Sequence, residues 1–368
     1  MSVVLSVFFI GWFALLLGAW VLFSRRRAPQ AQPLPSPPPR VSILIAARNE
    51  EAAIGRCLRS VRALRYPPEC LEVLLGDDAS SDRTAAVAAE AMAGFAGSFR
   101  IIPITDTLGA ARGKANVLAH LARAATTEYF LITDADISLP ATWVQGLVGH
   151  LRPGMATVTG LTVVSGPRLF DRVQGLDWLM SLALVQMVSD RGQPVTAMGN
   201  NMLITRAAYE AVGGYETLPF SVTEDYELFQ AILRRGYSWL NVFEPAVLAE
   251  SLPMPSWRGL LHQRRRWLRG VEGLPRHIQL GLIYYAGFYP ALLVAGWLWG
   301  GAAGLGILGA KLLAQALLAG SAYGKVGRRA PLHLLPLFEL YTLAVTAGLT
   351  GFRFSRRPFE WKGRQYRE

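Results

Sequence analysis

The residues best equipped for chemistry are carboxylates in three short clusters. Gly76-Asp77-Asp78-Ala79-Ser80-Ser81-Asp82 is the first, Thr133-Asp134-Ala135-Asp136 the second, and Thr223-Glu224-Asp225 the third. Like charges held together repel unless a cation or hydrogen-bond donors sit among them. A D-x-D that follows an apolar stretch suits a hard cation, Mg²⁺ or Mn²⁺, which takes oxygen ligands and often shares them with phosphates. Each cluster also has a plainer explanation. Asp and Ser build turns and caps, D-x-D recurs by chance, and Glu224 and Asp225 complement the positive end of a helix. A fourth group is Gln263-Arg264-Arg265-Arg266-Trp267. On a helix Gln263, Arg266 and Trp267 fall at i, i+3 and i+4 and share one face. An arginine there could grip a diphosphate with two parallel bonds, and the indole could stack on a sugar ring. The plainer alternative is an interfacial helix whose Arg264 and Arg265 snorkel towards anionic lipid heads.

The clusters need elements to position them. Residues 41–46 (VSILIA) form a continuous apolar run, as expected of a strand covered on both faces. Asn49 is expected to cap the next helix, which places Ile54, Cys57, Leu58, Val61 and Leu64 at helical spacing. A second strand is expected at 71–76, with Ser80 or Ser81 capping a second helix. A third strand at 101–104, a third helix at 114–125 and a fourth strand at 129–133 follow. This alternation predicts an α/β fold with a Rossmann-like, mostly parallel sheet. In such a sheet ligands bind at the carboxyl edge of the strands, so the first two acidic clusters point at one crevice.

The flanks are apolar. Residues 3–23 carry no charge, number about 21, and could cross a hydrocarbon core of about 30 Å as one helix. Arg25, Arg26 and Arg27 follow at once, the reverse of a cleavable signal peptide. The positive-inside rule then puts the N-terminus outside and the following chain in the cytoplasm. Six prolines between 29 and 39 predict an extended, semi-rigid spacer holding a domain clear of the bilayer. Further spans are expected near 278–299, 302–322 and 332–352. Lys311, Gln315, Pro336 and Glu339 within them mark either buried polar groups or a segment that does not fully cross. The expected organisation is an anchor (1–24), a basic and Pro-rich linker (25–40), an α/β domain (41–255), an interfacial helix (256–277), membrane segments (278–352) and a basic cytoplasmic tail (353–368).

Composition agrees. Of 368 residues, 52% are hydrophobic and only 17% charged, below the ~25% usual in soluble proteins. The net charge of +11 is concentrated beside apolar segments, where anionic lipid and topology account for it without nucleic acid. Cys57 and Cys70 are the only cysteines and have no metal-site spacing, which argues against a disulfide framework or structural zinc.

As a set, and in this order, several pieces resemble the membrane-integrated branch of the family 2 glycosyltransferases. They are Ala47-Arg48-Asn49-Glu50, DDASSD, Gly113-Lys114-Ala115-Asn116, DAD, Gly199-Asn200-Asn201, TED and Q-R-R-R-W. The match covers residues of about 40–270. The closing Trp361-Lys362-Gly363-Arg364-Gln365-Tyr366 resembles the tail of carotenoid and hydroxychlorobactene glucosyltransferases, and ceramide glucosyltransferases share the plan of spans. The resemblance implies a GT-A fold, a nucleotide-sugar donor, usually a UDP-sugar, and a lipid acceptor. Ala47, Glu50, Asp77, Asp78, Lys114, Asp134, Asn200 and Asn201 would then bind the nucleotide sugar. Asp136, with Asp134, would hold Mg²⁺ or Mn²⁺. Asp225, or else Glu224, would be the general base, with Arg266 acting on the leaving group. Gln263, Arg266 and Trp267 would meet the diphosphate and acceptor.

The reading is therefore a multi-pass inverting hexosyltransferase of the cell (inner) membrane, with its catalytic domain in the cytoplasm. A processive polysaccharide synthase is the nearest alternative, since the same motifs serve that activity. A non-catalytic membrane scaffold on a degenerate sugar-nucleotide fold is the alternative from another class.

Overall fold

The computed structural model describes residues 1–353, 359–361 and 364–366. Helix α1 (Ser2–Ser24) opens the chain. There follow β1 (Val41–Ala47), α2 (Ile54–Arg62), β2 (Leu71–Asp77), α3 (Thr84–Met92), β3 (Ser98–Pro103), α4 (Lys114–Ala124), β4 (Tyr129–Asp134) and β5 (Ile137–Ser138). Next come α5 (Trp143–Val148), β6 (Met155–Thr159), β7 (Leu161–Val164), α6 (Leu169–Ser189), β8 (Asn201–Thr205), α7 (Arg206–Ala211), α8 (Gly214–Thr217), α9 (Glu224–Arg234), β9 (Ser238–Asn241) and β10 (Leu248–Ser251). The last third holds α10 (Trp257–Glu272), α11 (Arg276–Ala286), α12 (Phe288–Trp299), α13 (Gly301–Lys325), α14 (Leu335–Arg353) and the hairpin β11 (Phe359–Trp361) with β12 (Arg364–Tyr366). The rest of the expected basic tail, including Arg356, Arg357, Lys362 and Arg367, lies outside the described residues.

The chain divides into two compact units. The α/β unit comprises residues 28–166 and 196–253 with the closing hairpin. Its main sheet has the order β3-β2-β1-β4-β8-β6-β9, and a smaller one the order β5-β10-β7. β1, β2, β3 and β4 are mutually parallel neighbours, whereas β8 runs antiparallel to β4 and β6. The sheet is thus mostly parallel, as the alternation of apolar strands and helices predicts. Ile43, Leu44 and Ile45 of β1 are buried, as are Leu74, Phe130, Leu118 and Phe229 around them. β1 is paired on one side by β2 and on the other by β4, so the chain reverses its winding there. The register sets Ala47 opposite Asp77 and Ala46 opposite Asp134. The first two acidic clusters therefore leave the sheet at the same edge, on either side of the end of β1.

Local details depart from expectation. Asn49 does not cap α2, whose N-cap is Ala53 with no side-chain bond. Asn49 instead takes a left-handed φ of 52° and accepts a bond from Ser81 N at 2.8 Å, tying the two strand-end loops together. Neither Ser80 nor Ser81 caps α3. Asp82 does the nearer work, accepting from Thr84 N at 2.9 Å. The Pro-rich linker is not a clear spacer at its start. Polyproline backbone makes no internal hydrogen bonds, and its carbonyls find partners on the α/β unit. His150 Nε2 meets Pro29 O at 3.0 Å, Arg152 donates to Gln30 O at 2.6 Å, and Gln32 N donates to Gly149 O at 2.7 Å.

The helical unit comprises residues 1–27, 167–195 and the stretch from Met254 to the end of α14. Helix α6 belongs to it, although its residues fall inside the expected α/β block. Among the described residues four segments are long and apolar enough to cross a membrane: Ser2–Ser24, Arg276–Trp299, Gly301–Lys325 and Leu332–Gly351. α1 and α13 run in the same direction. Trp12 lies near Lys311, Trp20 Nε1 donates to Ser321 Oγ at 3.0 Å, and Lys325 Nζ donates to Arg26 O at 2.9 Å. The arginines after α1 and the lysine ending α13 thus share one end.

The polar residues of these spans meet one another. Lys311 Nζ lies 2.6 Å from Glu339 Oε2, and Tyr289 OH donates to the same oxygen at 2.6 Å. Lys311 is 3% exposed and Glu339 5%. The ammonium also sits 4.1 Å from the Tyr289 ring centroid and 4.6 Å from that of Phe288. Removing one partner of a buried pair leaves the other charge uncompensated and costs about 3–5 kcal/mol. Lys311→Ala is therefore expected to melt at lower temperature in detergent, and pairing it with Glu339→Leu is expected to recover most of the loss. An unchanged melting temperature in the single variant would show that the pair contributes nothing.

Candidate active site

The site forms where β1, β2 and β4 end. Gly113, with φ at 55°, turns the chain so that α4 begins at Lys114 beneath the strand ends. Lys114 Nζ lies 2.6 Å from Asp134 Oδ1 and 3.2 Å from Glu224 Oε1. One ammonium therefore joins the acid closing β4 to the acid opening α9. Asp134 and Glu224, with Asp225 beyond, hold the lysine far above its usual proton affinity, overcoming its burial. Asp134 and Glu224, 90 positions apart in sequence and in two of the three acidic clusters, are brought together by one side chain.

Asp136 lies in the turn between β4 and β5. Burial, and then repulsion from Asp134, push its carboxyl up to about 6. Two neighbouring carboxylates at a strand end, Asp136 with its proton affinity raised, form a site that a divalent cation relieves. Among the described residues no three His, Cys, Asp or Glu side chains gather as a complete metal cage. Two aspartates fit Mg²⁺ or Mn²⁺, which keep open positions for phosphate oxygens and water. The turn itself is held from behind by α2. Arg56 donates to Asp136 O at 3.1 Å and to Glu250 O at 3.2 Å, and Cys57 Sγ approaches Asp134 O at 3.5 Å. Sequence reading placed Cys57 on the buried face of α2 but saw no role for Arg56, because its partners are distant in sequence.

Glu224 and Asp225 are adjacent yet differ. Glu224 faces Lys114 and is paired. Asp225 accepts from Gly199 N at 2.9 Å through Oδ2 and from Tyr226 N at 2.9 Å through Oδ1. Burial, then the charge of Glu224, push Asp225 up to about 6 despite those bonds and the nearby lysine. Gly199 has no alternative residue at this spot, since a Cβ there would collide with the Asp225 side chain. The Gly-Asn-Asn motif is thus partly explained by the acid it must admit. Tyr215, missed in the sequence, is buried beside this group. Its phenol is held well above the usual range by burial and then by Glu224.

The first cluster frames the other side. Asp77 Oδ1 accepts from Ser80 N at 3.1 Å, and Arg48 donates to Asp78 O at 2.5 Å with Asp78 Oδ2 3.9 Å away. Ala47 O accepts from Asp78 N at 2.9 Å, and Glu50 N donates to Thr84 Oγ1 at 2.7 Å. The β1 and β2 loops are locked to each other at the crevice. Asn200 accepts from Thr162 Oγ1 at 3.0 Å. Asn201 has a different position: it is 0% exposed, donates to Leu161 O at 2.8 Å and Val247 O at 2.9 Å, and accepts from Trp143 Nε1 at 2.8 Å. Every polar atom of its amide is used in joining β7, β8, α5 and the start of β10. It supports the site as scaffold.

Gln263, Arg266 and Trp267 stand on α10 in the helical unit. Their neighbour Arg264 does not snorkel outward. It is paired with Asp177 of α6 and lies over the rings of Trp178 and Trp267.

Comparison with known proteins bears on this arrangement. A beta-monoglucosyldiacylglycerol synthase of Synechocystis sp. is 26% identical over 237 residues, 64% of this chain and 48% of that protein. A probable glycosyltransferase of Bacillus subtilis, YdaM, is 28% identical over 240 residues, 64% of this chain and 56% of its own length. The chain thus spans about half the length of these curated relatives. Among solved structures, the mannosyltransferase PcManGT from Pyrobaculum calidifontis, in complex with GDP-Man and Mn²⁺, aligns with a TM-score of 0.57 at 22% identity, covering 94% of this chain and 99% of that one. That likeness shows the fold to be GT-A, as the motifs imply. The kinship expected with family 2 enzymes resolves at the level of the whole chain: residues 3–367 match Glycosyl transferase family 21, and the chain belongs to that family.

Proposed function

We propose that this protein transfers a hexose from a nucleotide sugar, a UDP-sugar, to the hydroxyl of a lipid acceptor, with inversion, on the cytoplasmic face of the cell's inner membrane. The observation that carries the reading is the joining of Asp134 and Glu224 through Lys114, beside Asp136 and Asp225, at the edge where a parallel sheet binds ligands. The naming of the Synechocystis relative as a glucolipid synthase supports a lipid acceptor. The four apolar segments among the described residues, each long enough to cross a membrane, also favour an acceptor that resides in a bilayer.

The chemistry follows from charge. The bond from the anomeric carbon to the diphosphate breaks, and negative charge grows on the leaving oxygen. Asp134 and Asp136 would hold a divalent cation, which when bound supplies positive charge to the diphosphate. Lys114 holds the Asp134 and Glu224 side chains in place, so the arrangement is preorganised. Asp225 takes the proton from the acceptor hydroxyl as that oxygen attacks. Its raised proton affinity suits it better than Glu224, whose charge is already committed to Lys114. Arg266 is assigned to the leaving diphosphate, and Gln263 and Trp267 to the diphosphate and acceptor, by the likeness of their motif. A single displacement with no covalent enzyme intermediate inverts the anomeric centre.

The test is a screen of radiolabelled nucleotide sugars against lipid extract, using the full chain in detergent with Mn²⁺, followed by mass analysis. One hexose on a lipid is expected. A ladder of sugars would move the assignment to a polymerising enzyme, and transfer only to soluble sugars would remove the lipid acceptor. Donor that is neither bound nor consumed would leave a non-catalytic scaffold.

A further inference from the structure

Helix α6 carries no residue that the sequence motifs single out, yet one of its faces grips the Q-R-R-R-W helix. Gln174, Asp177 and Trp178 fall at i, i+3 and i+4 on α6 and so share a face. Gln174 is 1% exposed and holds the chain entering α10 by two bonds: Nε2 donates to Met254 O at 3.1 Å, and Met254 N donates to Oε1 at 3.0 Å. One turn further on, Asp177 accepts from the Arg264 guanidinium. Trp178 stacks on Trp267 with ring centroids 4.3 Å apart, tilted by 31°. The same guanidinium lies 5.2 Å from the Trp178 centroid and 4.6 Å from that of Trp267. Tyr341 of α14 closes the group, its hydroxyl donating to Asp177 at 3.3 Å.

We infer that Asp177 and Trp178 are positioning residues that fix the rotation of α10 about its own axis, and with it the direction in which Gln263 and Arg266 are presented. The inference rests on the assignment of Gln263, Arg266 and Trp267 to the diphosphate and acceptor. Apolar packing alone would hold two helices together equally well, since a buried ion pair is a poor source of net stability. A planar guanidinium held by a carboxylate and lying against a stacked pair of indoles accepts few rotations. Such a device is useful where angle matters more than adhesion. Adjacent positions on a helix point about 100° apart, so Arg264 can be locked inside while Gln263 and Arg266 face elsewhere.

The experiment uses the full chain in detergent. Asp177→Ala, Asp177→Asn, Trp178→Ala and Trp178→Phe are compared with Arg266→Ala. Donor binding with Mn²⁺ is titrated first, and kcat is then expressed per donor-binding site, so misfolded protein drops out of the comparison. Displacing a catalytic group by about 1 Å can lower the rate by about 10²-fold. Asp177→Ala and Trp178→Ala are therefore expected to lose about 10- to 100-fold in kcat per donor-binding site. Trp178→Phe, which keeps a stacking ring, should recover most of the rate, and Asp177→Asn should fall between. Adding Arg264→Ala to Asp177→Ala should cost little more, because both remove one interaction. Fewer binding sites at an unaltered kcat per site would mean a merely structural contact and would overturn the inference. So would full activity of Asp177→Ala and Trp178→Ala beside an inactive Arg266→Ala. Full activity of Arg266→Ala would instead overturn the assignment of the motif, and the positioning role with it.

Discussion

Asp225→Asn is expected to lower transfer by about 10²–10⁴-fold, the usual contribution of a positioned general base, while the nucleotide sugar still binds. The substitution keeps the shape of the side chain and one acceptor oxygen for Gly199 N–H, so the pocket wall stays in place. What it removes is the ability to take a proton. The native enzyme should show the same dependence through pH. Asp225 is raised to about 6 by burial and by the charge of Glu224. A base is active when deprotonated, so kcat/KM, which reports the free protein, should be flat above that pH and fall as pH drops through it. Because this acid binds its proton more tightly folded than unfolded, its contribution to stability is present at low pH and is lost as pH rises through about 6. Asp225→Asn should therefore melt no lower than the native protein at neutral pH. The measurements are initial rates from pH 5 to 8, donor titration by calorimetry, and melting in detergent. Loss of donor binding together with transfer would make Asp225 part of the donor site and sink the base assignment.

Asp136→Ala is expected to act at an earlier step. Removing one of two carboxylates from a cation site leaves too few ligands, and metal-site changes of this kind typically cost about 10–100-fold or more. Donor affinity with Mn²⁺ present should fall to the value measured with chelator, and added Mn²⁺ should no longer change it. Affinity for the nucleotide without metal should persist, since Asp77, Asp78 and the loops they lock are untouched. Calorimetric titration of UDP with and without Mn²⁺ reads this directly, independent of turnover. A variant that still responds to Mn²⁺ as the native protein does would remove Asp136 from the cation site.

Much of the α/β unit is legible in sequence because its signals are local. A strand buried on both faces must be apolar throughout, so β1, β2 and β4 are visible as runs of Val, Ile and Leu. The acidic motifs are visible because they sit within a few residues of those strand ends. Asn49 and Ser80 leave the helix caps expected of them for a related reason. These polar side chains had competing partners across the neighbouring loop, and loop-to-loop bonds leave no periodic trace. Asn201 shows the same limit. Its neighbour Asn200 has the same side chain, and only the strands around Asn201 make it a scaffold residue.

The amino-acid order alone determined which chemical groups this protein owns, that a mostly parallel sheet carries them, and that apolar helices flank that sheet. Those properties follow from composition and spacing over a turn or a strand. The folded chain alone decided that Lys114 joins Asp134 to Glu224, that burial raises the proton affinity of Asp225, that α6 leaves the α/β unit, and that Arg264 turns inward to Asp177. Each of these depends on the distance between side chains far apart in sequence, and burial and Coulomb interactions are set by that distance.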